Sequence, residues 1–202
     1  VVGQSGQPQR LIDWINSAWL EIQGLQDQWD FMREDFSFNT VAGVGDYPIS
    51  TAIGLTDHRY WHTDTFRIFT TPLGVADEGY LPEWDYGTFR DVYRYNTQVN
   101  NRPSVFAVKR RASDVMLGPA PDKIYTVRGE YQRAPTVLVL DTDVPDIPSH
   151  LHMIIVWKAM MHYGIFEAAS EVVARAELQY NILMSQLERE ELPDLGFGEV
   201  WA

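Results

Sequence analysis

The spacing of apolar residues changes twice along this chain, and those two changes restrict its fold more than any single motif does. Over residues 8–29, Leu11, Ile15, Ala18, Trp19, Ile22, Leu25 and Trp29 recur three or four positions apart, the spacing of one helical face. Pro8 suits a first helical turn, and Gly24 is a tolerated weak point. Residues 36–41 then alternate large apolar with polar side chains, run into Gly43-Val44-Gly45 and continue as Asp46-Tyr47-Pro48-Ile49, which reads as a β-hairpin. Strand candidates follow at 65–70, 104–108, 114–117 and 125–131, separated by turn signals at Pro72, Gly74, Pro82, Pro103, Pro119 and Pro121. One short helix, 86–95, interrupts them. A polar, Pro-punctuated linker at 141–148 restores the helical period: Met153, Ile154, Trp157, Met160 and Met161 form a stripe. Gly164 is expected to break or bend that helix, and a second begins near Ala168 and continues through Val172, Val173, Ala176, Tyr180, Leu183 and Leu187.

An apolar helical face must be covered, so the first helix is expected to pack with the last two. The fold class is α+β: an α-helical base with an inserted β-rich middle. The expected divisions are 1–34 and 141–191 for the base, 35–140 for the insertion and 192–202 for an extended tail.

With 202 residues the chain can bury a core without staples, and the absence of cysteine excludes disulfide scaffolds, thiol nucleophiles and Cys-ligated metals. No apolar run approaches the ~20 residues of a membrane span, and VVGQSGQPQR lacks the layout of a signal peptide, so the pattern reads as that of a soluble chain without a membrane partner. A net charge of −12 opposes any sequence-independent grip on phosphate backbones. The acid is concentrated late: residues 166–202 hold eight carboxylates (Glu167, Glu171, Glu177, Glu188, Glu190, Glu191, Asp194 and Glu199) against Arg175 and Arg189.

Motifs for chemistry are sparse. His58 and His62, flanked by Asp57 and Asp64, have metal-ligand spacing only if helical, and the surrounding aromatics favour a surface loop with aromatic anchors instead. Asp141, Asp143 and Asp146 lack the glycine and distal glutamate of a calcium loop. His150, His152 and His162 read as surface or core histidines. Gly43-Val44-Gly45 lacks the third glycine of a dinucleotide fingerprint and opens a strand. No catalytic residue, metal or cofactor is expected. Lys109-Arg110-Arg111 falls where two strands should turn, and reads as a solvated hairpin tip or as a contact with DNA or an acidic neighbour. Residues 192–202 leave helical spacing at Pro193 yet carry Leu192, Leu195, Phe197, Val200 and Trp201, side chains that want a surface to bury against.

The order of features carries a resemblance. Trp19-Leu20-Glu21-Ile22-Gln23 and Trp29-Asp30-Phe31 lead to Phe36-Ser37-Phe38-Asn39-Thr40-Val41-Ala42-Gly43-Val44-Gly45-Asp46-Tyr47-Pro48; later come Gly118-Pro119-Ala120-Pro121-Asp122-Lys123-Ile124-Tyr125, Tyr131-Gln132-Arg133-Ala134-Pro135, and Val144-Pro145-Asp146-Ile147-Pro148 before a helix. Over nearly its whole length the chain resembles the head-to-tail adaptor (head completion or connector) proteins of tailed bacteriophages. That resemblance implies a helical base with a β-rich insertion, a twelvefold ring of the chain beneath the portal protein, and docking on the portal through the C-terminal tail. It implies tail or nozzle proteins as further partners, DNA that passes through without sequence-specific binding, no catalytic residues, and a place at the portal vertex of the virion after assembly in the host cytoplasm. In such a ring Glu167, Glu171, Glu177, Glu188, Glu190 and Glu191 are candidates for an acidic channel lining. The alternatives are another neck or tail-tube component and a carboxylate-based hydrolase.

Overall fold

The computed structural model of the chain describes residues 7–95, 98–109, 112–140 and 142–193. They form two compact units, one helical (up to Met32 and from Pro135) and one β-rich (Arg33–Ala134), and the whole is a mixed helix-and-sheet fold of the expected α+β class.

The helical unit holds α1 (Gln7–Leu25), α3 (Met153–Phe166) and α4 (Ser170–Glu191), α2 (Tyr86–Tyr93) belonging to the other unit. α3 is the central helix, packing on both α1 and α4, which touch each other little. α1 and α3 run antiparallel: Glu21 meets Lys158 and His162 at 2.8 and 3.2 Å, and Trp14 lies against Tyr163 and Phe166 at the other end. Ala18, Trp19, Ile22, Leu151, Ile154, Ile155 and Leu187 fill the core between them. Trp29 is in that core but not in the helix. α1 ends at Leu25, and the chain turns so that the Trp29 indole N–H donates to the Ile22 carbonyl (3.1 Å), one of the C-terminal carbonyls that no helical amide reaches. Gly164 does not break the helix either. It lies inside α3, where a Cβ would stand 2.7 Å from the Val173 side chain, so its role is the close approach of α4; the reversal falls at 167–169, with Ala168 at φ 54.

An extended segment after Pro135 is strapped to α1 by two amides seven residues apart. Asn16 donates to the Leu138 carbonyl and accepts from its N–H (3.1 and 2.8 Å); Gln23, buried, does the same for Thr136 (2.9 and 3.0 Å). Both backbone groups of each residue are thus satisfied as a neighbouring strand would satisfy them.

The β-rich unit contains two antiparallel sheets. One has the order β1-β7-β3-β4, with β1 Arg33–Asn39, β7 Tyr125–Arg133, β3 His58–Thr70 and β4 Gly79–Tyr80. The other has the order β2-β6-β5, with β2 Asp46–Tyr47, β6 Asp114–Gly118 and β5 Val105–Lys109. The expected hairpin over 36–49 does not form. β1 pairs with β7 and β2 with β6, so the chain changes sheets between them. The crossing is fixed by Thr40, whose N–H reaches the Tyr125 carbonyl, and by the Tyr47 hydroxyl, which donates to Val44 and accepts from Val41. The expected surface loop around His58 and His62 is also corrected: it is the first half of β3, paired with β7 through a bulge between His62 and Arg67. Phe36, Phe66, Phe106, Val115, Leu117 and Val127 form the core of the unit. α2 (Tyr86–Tyr93), capped by Asp85, closes a smaller cluster with Phe89 on Val105 and Met116. β1 and β7 are the first and last strands of the unit, so the chain enters and leaves it on neighbouring strands, at Arg33 beside Gln132.

Candidate interaction surfaces

α3 reads MIIVWKAMMHYGIF, with Lys158 and His162 its only basic side chains and no acid, so it is apolar on every side. Such a helix belongs inside a protein. Ile154, Ile155 and Gly164 are buried, yet Val156, Tyr163, Ile165 and Phe166 are exposed, Ile165 by 68%. At 14 residues it is too short to span a bilayer, and among the described residues no helix is long and apolar enough to cross a membrane.

α4 buries Ala176, Tyr180, Met184 and Leu187 along one stripe. Its opposite stripe carries Arg175, Leu178, Ile182 and Arg189, all exposed, Leu178 by 61% and Ile182 by 49%. The six carboxylates named from the sequence do not share a face. Glu167 lies in the turn before α4; Glu171 is on the stripe of Arg175; Glu177 is exposed off that stripe. Glu188 is half-buried, and Glu190 sits 3.1 Å from the His150 ring. Burial pushes the Glu191 carboxyl above the usual carboxylate range, opposed by a hydrogen bond from the Phe31 backbone.

Of the tail residues, Leu192 is half-buried against the helical core and lines a groove of about 600 Å3 with Leu25, Asp27, Glu188, Arg189 and Pro193. Leu195, Phe197, Val200 and Trp201 lie outside the described residues. Lys109 is exposed at the end of β5, opposite Asp114 in the β5–β6 hairpin, and Arg110 and Arg111 lie outside the described residues.

The β-rich unit adds a cleft of about 600 Å3 between the start of β3, the segment before α2 and the β5–β6 hairpin, lined by His58, Tyr60, Trp61, Trp84 and Tyr86. Burial drops the His58 imidazole to a pKa of about 4, so it is neutral at physiological pH. The His62 ring is 3.0 Å from the Gln132 amide oxygen, and among the described residues no group of three or more His, Asp or Glu is placed to hold a metal. Arg102 is a structural tie: it bonds Asp77 (2.9 Å) and the backbone carbonyls of Ile68 and Asp77, and the Thr70 hydroxyl with that guanidinium holds the Asp77 carboxyl down at about 2.

Among the described residues, the apolar and mixed helical faces include a stripe missed in the sequence. Arg175, Leu178, Ile182 and Arg189 do have legible helical spacing, interleaved with the carboxylates of the same helix. Comparison with curated proteins gives no match. The model of the SU10 adaptor protein family matches residues 4–195, nearly the whole chain, so the chain belongs to that family of phage structural adaptors.

Proposed function

We propose that this chain is one subunit of the ring that joins the portal to the tail and extends the DNA channel, at the portal vertex of the virion, in twelve copies assembled in the host cytoplasm. The observation that carries the reading is α3, apolar all round but covered on only part of its circumference by the described residues. In this reading further protein covers the remainder in the working state. Membership of a phage adaptor family supports the portal and tail components as that protein, and in this reading other copies of this chain cover the face as well.

In this reading residues 192–202 dock on the portal. Leu192 anchors the start of the segment on the helical core, leaving Leu195, Phe197, Val200 and Trp201 for the partner. Lys109, with Arg110 and Arg111, meets an acidic patch of a neighbour. DNA must slide through the ring without sticking, which a lumen of Lys and Arg would prevent through counterion release. Of the six late carboxylates proposed for an acidic wall, Glu167, Glu171, Glu177 and Glu190 are exposed.

Imaging of the intact particle at the portal vertex tests this. The expected result is a ring of this chain between portal and tail, with more Asp and Glu than Lys and Arg facing the axis. Density for the chain only elsewhere in the particle overturns the reading. Removing residues 194–202 is expected to leave the helices intact by circular dichroism and to abolish retention on purified portal; full retention by the shortened chain rules out tail docking.

A further inference from the structure

We infer that the cleft between the start of β3, the segment before α2 and the β5–β6 hairpin takes an extended segment of another protein chain, which adds as a short strand to the uncovered edge of β5 at Val108 and sets a Lys or Arg side chain beside Glu83 and Trp84. The inference goes beyond the ring reading and rests on it only for where the partner is met, in the virion.

Hydrogen bonding within the sheet defines the edge. In an antiparallel pair the main-chain groups of successive residues turn alternately to one side and the other. Phe106 turns its groups away from β6: its N–H donates to the Pro82 carbonyl (3.0 Å) and its carbonyl accepts from the Trp84 N–H (2.7 Å), a parallel bridge centred on Glu83. Val108, two residues on in β5, faces the same way. The covering chain has left by then, because Asp85 turns to cap α2 and accepts from the N–H groups of Gly87 and Thr88. Among the described residues none bonds the N–H or the carbonyl of Val108 on that side, and Val108 lines the cleft.

The facing wall is a second uncovered edge. β4 pairs with β3 only at Arg67 and Ile68, so among the described residues the half of β3 from His58 to His62 has a strand, β7, on one side alone. Open main-chain donors and acceptors at strand spacing are matched by another extended chain, as in strand addition to a sheet edge. The cleft, about 600 Å3, is of the size that ligand sites have.

Side chains at the opening set the charge of the guest. Glu83 and Asp85 are exposed there beside the half-buried rings of Trp84 and Tyr86, and Arg59 is the one cation of the lining. Asp85 is engaged with its own helix, which leaves Glu83 as the carboxylate open to a partner. A cation gains twice in this place, from the carboxylate by charge and from the Trp84 face by the ring quadrupole. The wall also holds a polar atom that the described residues leave unsatisfied, the buried Nε2 of His58, and in a finished assembly such atoms have partners.

Two main-chain bonds and one side-chain contact make a weak site for a free peptide. The segment is therefore held mainly by the larger contact of its parent protein with the ring, which raises its effective concentration at the cleft.

Photocrosslinking in assembled particles tests this. Virions carrying the chain with p-benzoylphenylalanine in place of Tyr86 are irradiated, and the attached peptide is identified by mass spectrometry. The expected product joins this chain to another polypeptide, with a Lys or Arg within a few residues of the attachment point. Attachment to DNA, or no attachment to another polypeptide, overturns the inference and leaves the ring in place; absence of the parent chain from virions overturns the ring reading and this inference with it. Val108→Pro removes the edge donor at a position where an edge strand tolerates proline, and it is expected to lower the crosslink about tenfold while the free chain keeps its circular dichroism. An unchanged yield rejects strand addition. Glu83→Lys, at an exposed side chain, is expected to lower the yield several-fold, and an unchanged yield rejects the cationic guest. Amide exchange gives a readout without a variant: at Val108 it is expected to be about tenfold slower or more in the particle than in the free chain, and equal rates overturn the added strand.

Discussion

The ring of Phe66 lies on the ring of Phe106, centroids 4.0 Å apart and planes within 7° of parallel, and the two residues belong to different sheets of the β-rich unit. Both are fully buried, so this stack is the point at which the sheets close on one another. Phe66→Ala and Phe106→Ala are each expected to cost about 3–5 kcal/mol, from lost transfer energy plus the cavity left behind. Because the second truncation enlarges a cavity the first has opened, the double variant should lose less than the sum. Urea unfolding followed by tryptophan fluorescence measures all three.

Gly164→Ala tests the helical hairpin. Alanine favours a helix over glycine by about 1 kcal/mol, but here its Cβ would stand 2.7 Å from the Val173 side chain and 3.2 Å from the Val173 backbone nitrogen. The clash should win, for a net loss of about 1–3 kcal/mol. Adding Val173→Ala removes the closer of the two contacts, and thermal unfolding should show partial recovery.

Gln23→Leu keeps the packing of a buried side chain but removes both bonds to Thr136. Thr136 is exposed, so water can replace part of what is lost, and the expected cost is about 1 kcal/mol. The sharper readout is local. Amide exchange at Thr136 should accelerate while amides in the core of α3 keep their protection.

His58 should give the β-rich unit a pH dependence of definite sign. Its imidazole titrates at about 4 in the folded chain against 6.5 when free, because burial disfavours the charged ring. Between those values the unfolded chain binds a proton that the folded chain does not, so stability from this group is complete above pH 6.5 and falls as pH drops towards 4. His58→Phe preserves ring contacts with Trp61 and Tyr131 while removing the titration. Comparing urea midpoints at pH 7 and pH 5 should show a smaller acid loss in the variant than in the parent.

Much of this fold was legible because its apolar periods are local. The stripe from Leu11 to Ile22 and the one from Ala176 to Leu187 fall on α1 and α4, and the strand candidates at 104–108, 114–117 and 125–131 match β5, β6 and β7 to within two residues at each end. What failed depended on partners distant in sequence. Trp29 continued the helical spacing but serves as a plug turned back on Ile22. Phe36–Ile49 had the composition of a hairpin, yet β1 found β7 about ninety residues later, a choice that no local pattern encodes. His58–Asp64 looked like a loop because its alternation is blurred by a bulge. Among the surface residues, the carboxylates of α4 were visible, but not that Glu190 and Glu191 turn to His150 and Phe31. The amides Asn16 and Gln23 gave no signal at all, since a helix does not announce which backbone will lie beside it.

The neighbouring strands by which the chain enters and leaves the β-rich unit have a mechanical consequence. β1 and β7 run antiparallel, with Arg33 beside Gln132 at the open end and Asn39 beside Thr126 at the far end. Tension on the two crossings therefore loads one rung at a time, as in opening a zipper, while every later rung stays unstressed until the one before it has parted. The ion pair between Arg33 and Glu130 and the Arg133–Glu34 contact sit at that open end, where the first rung would have to give.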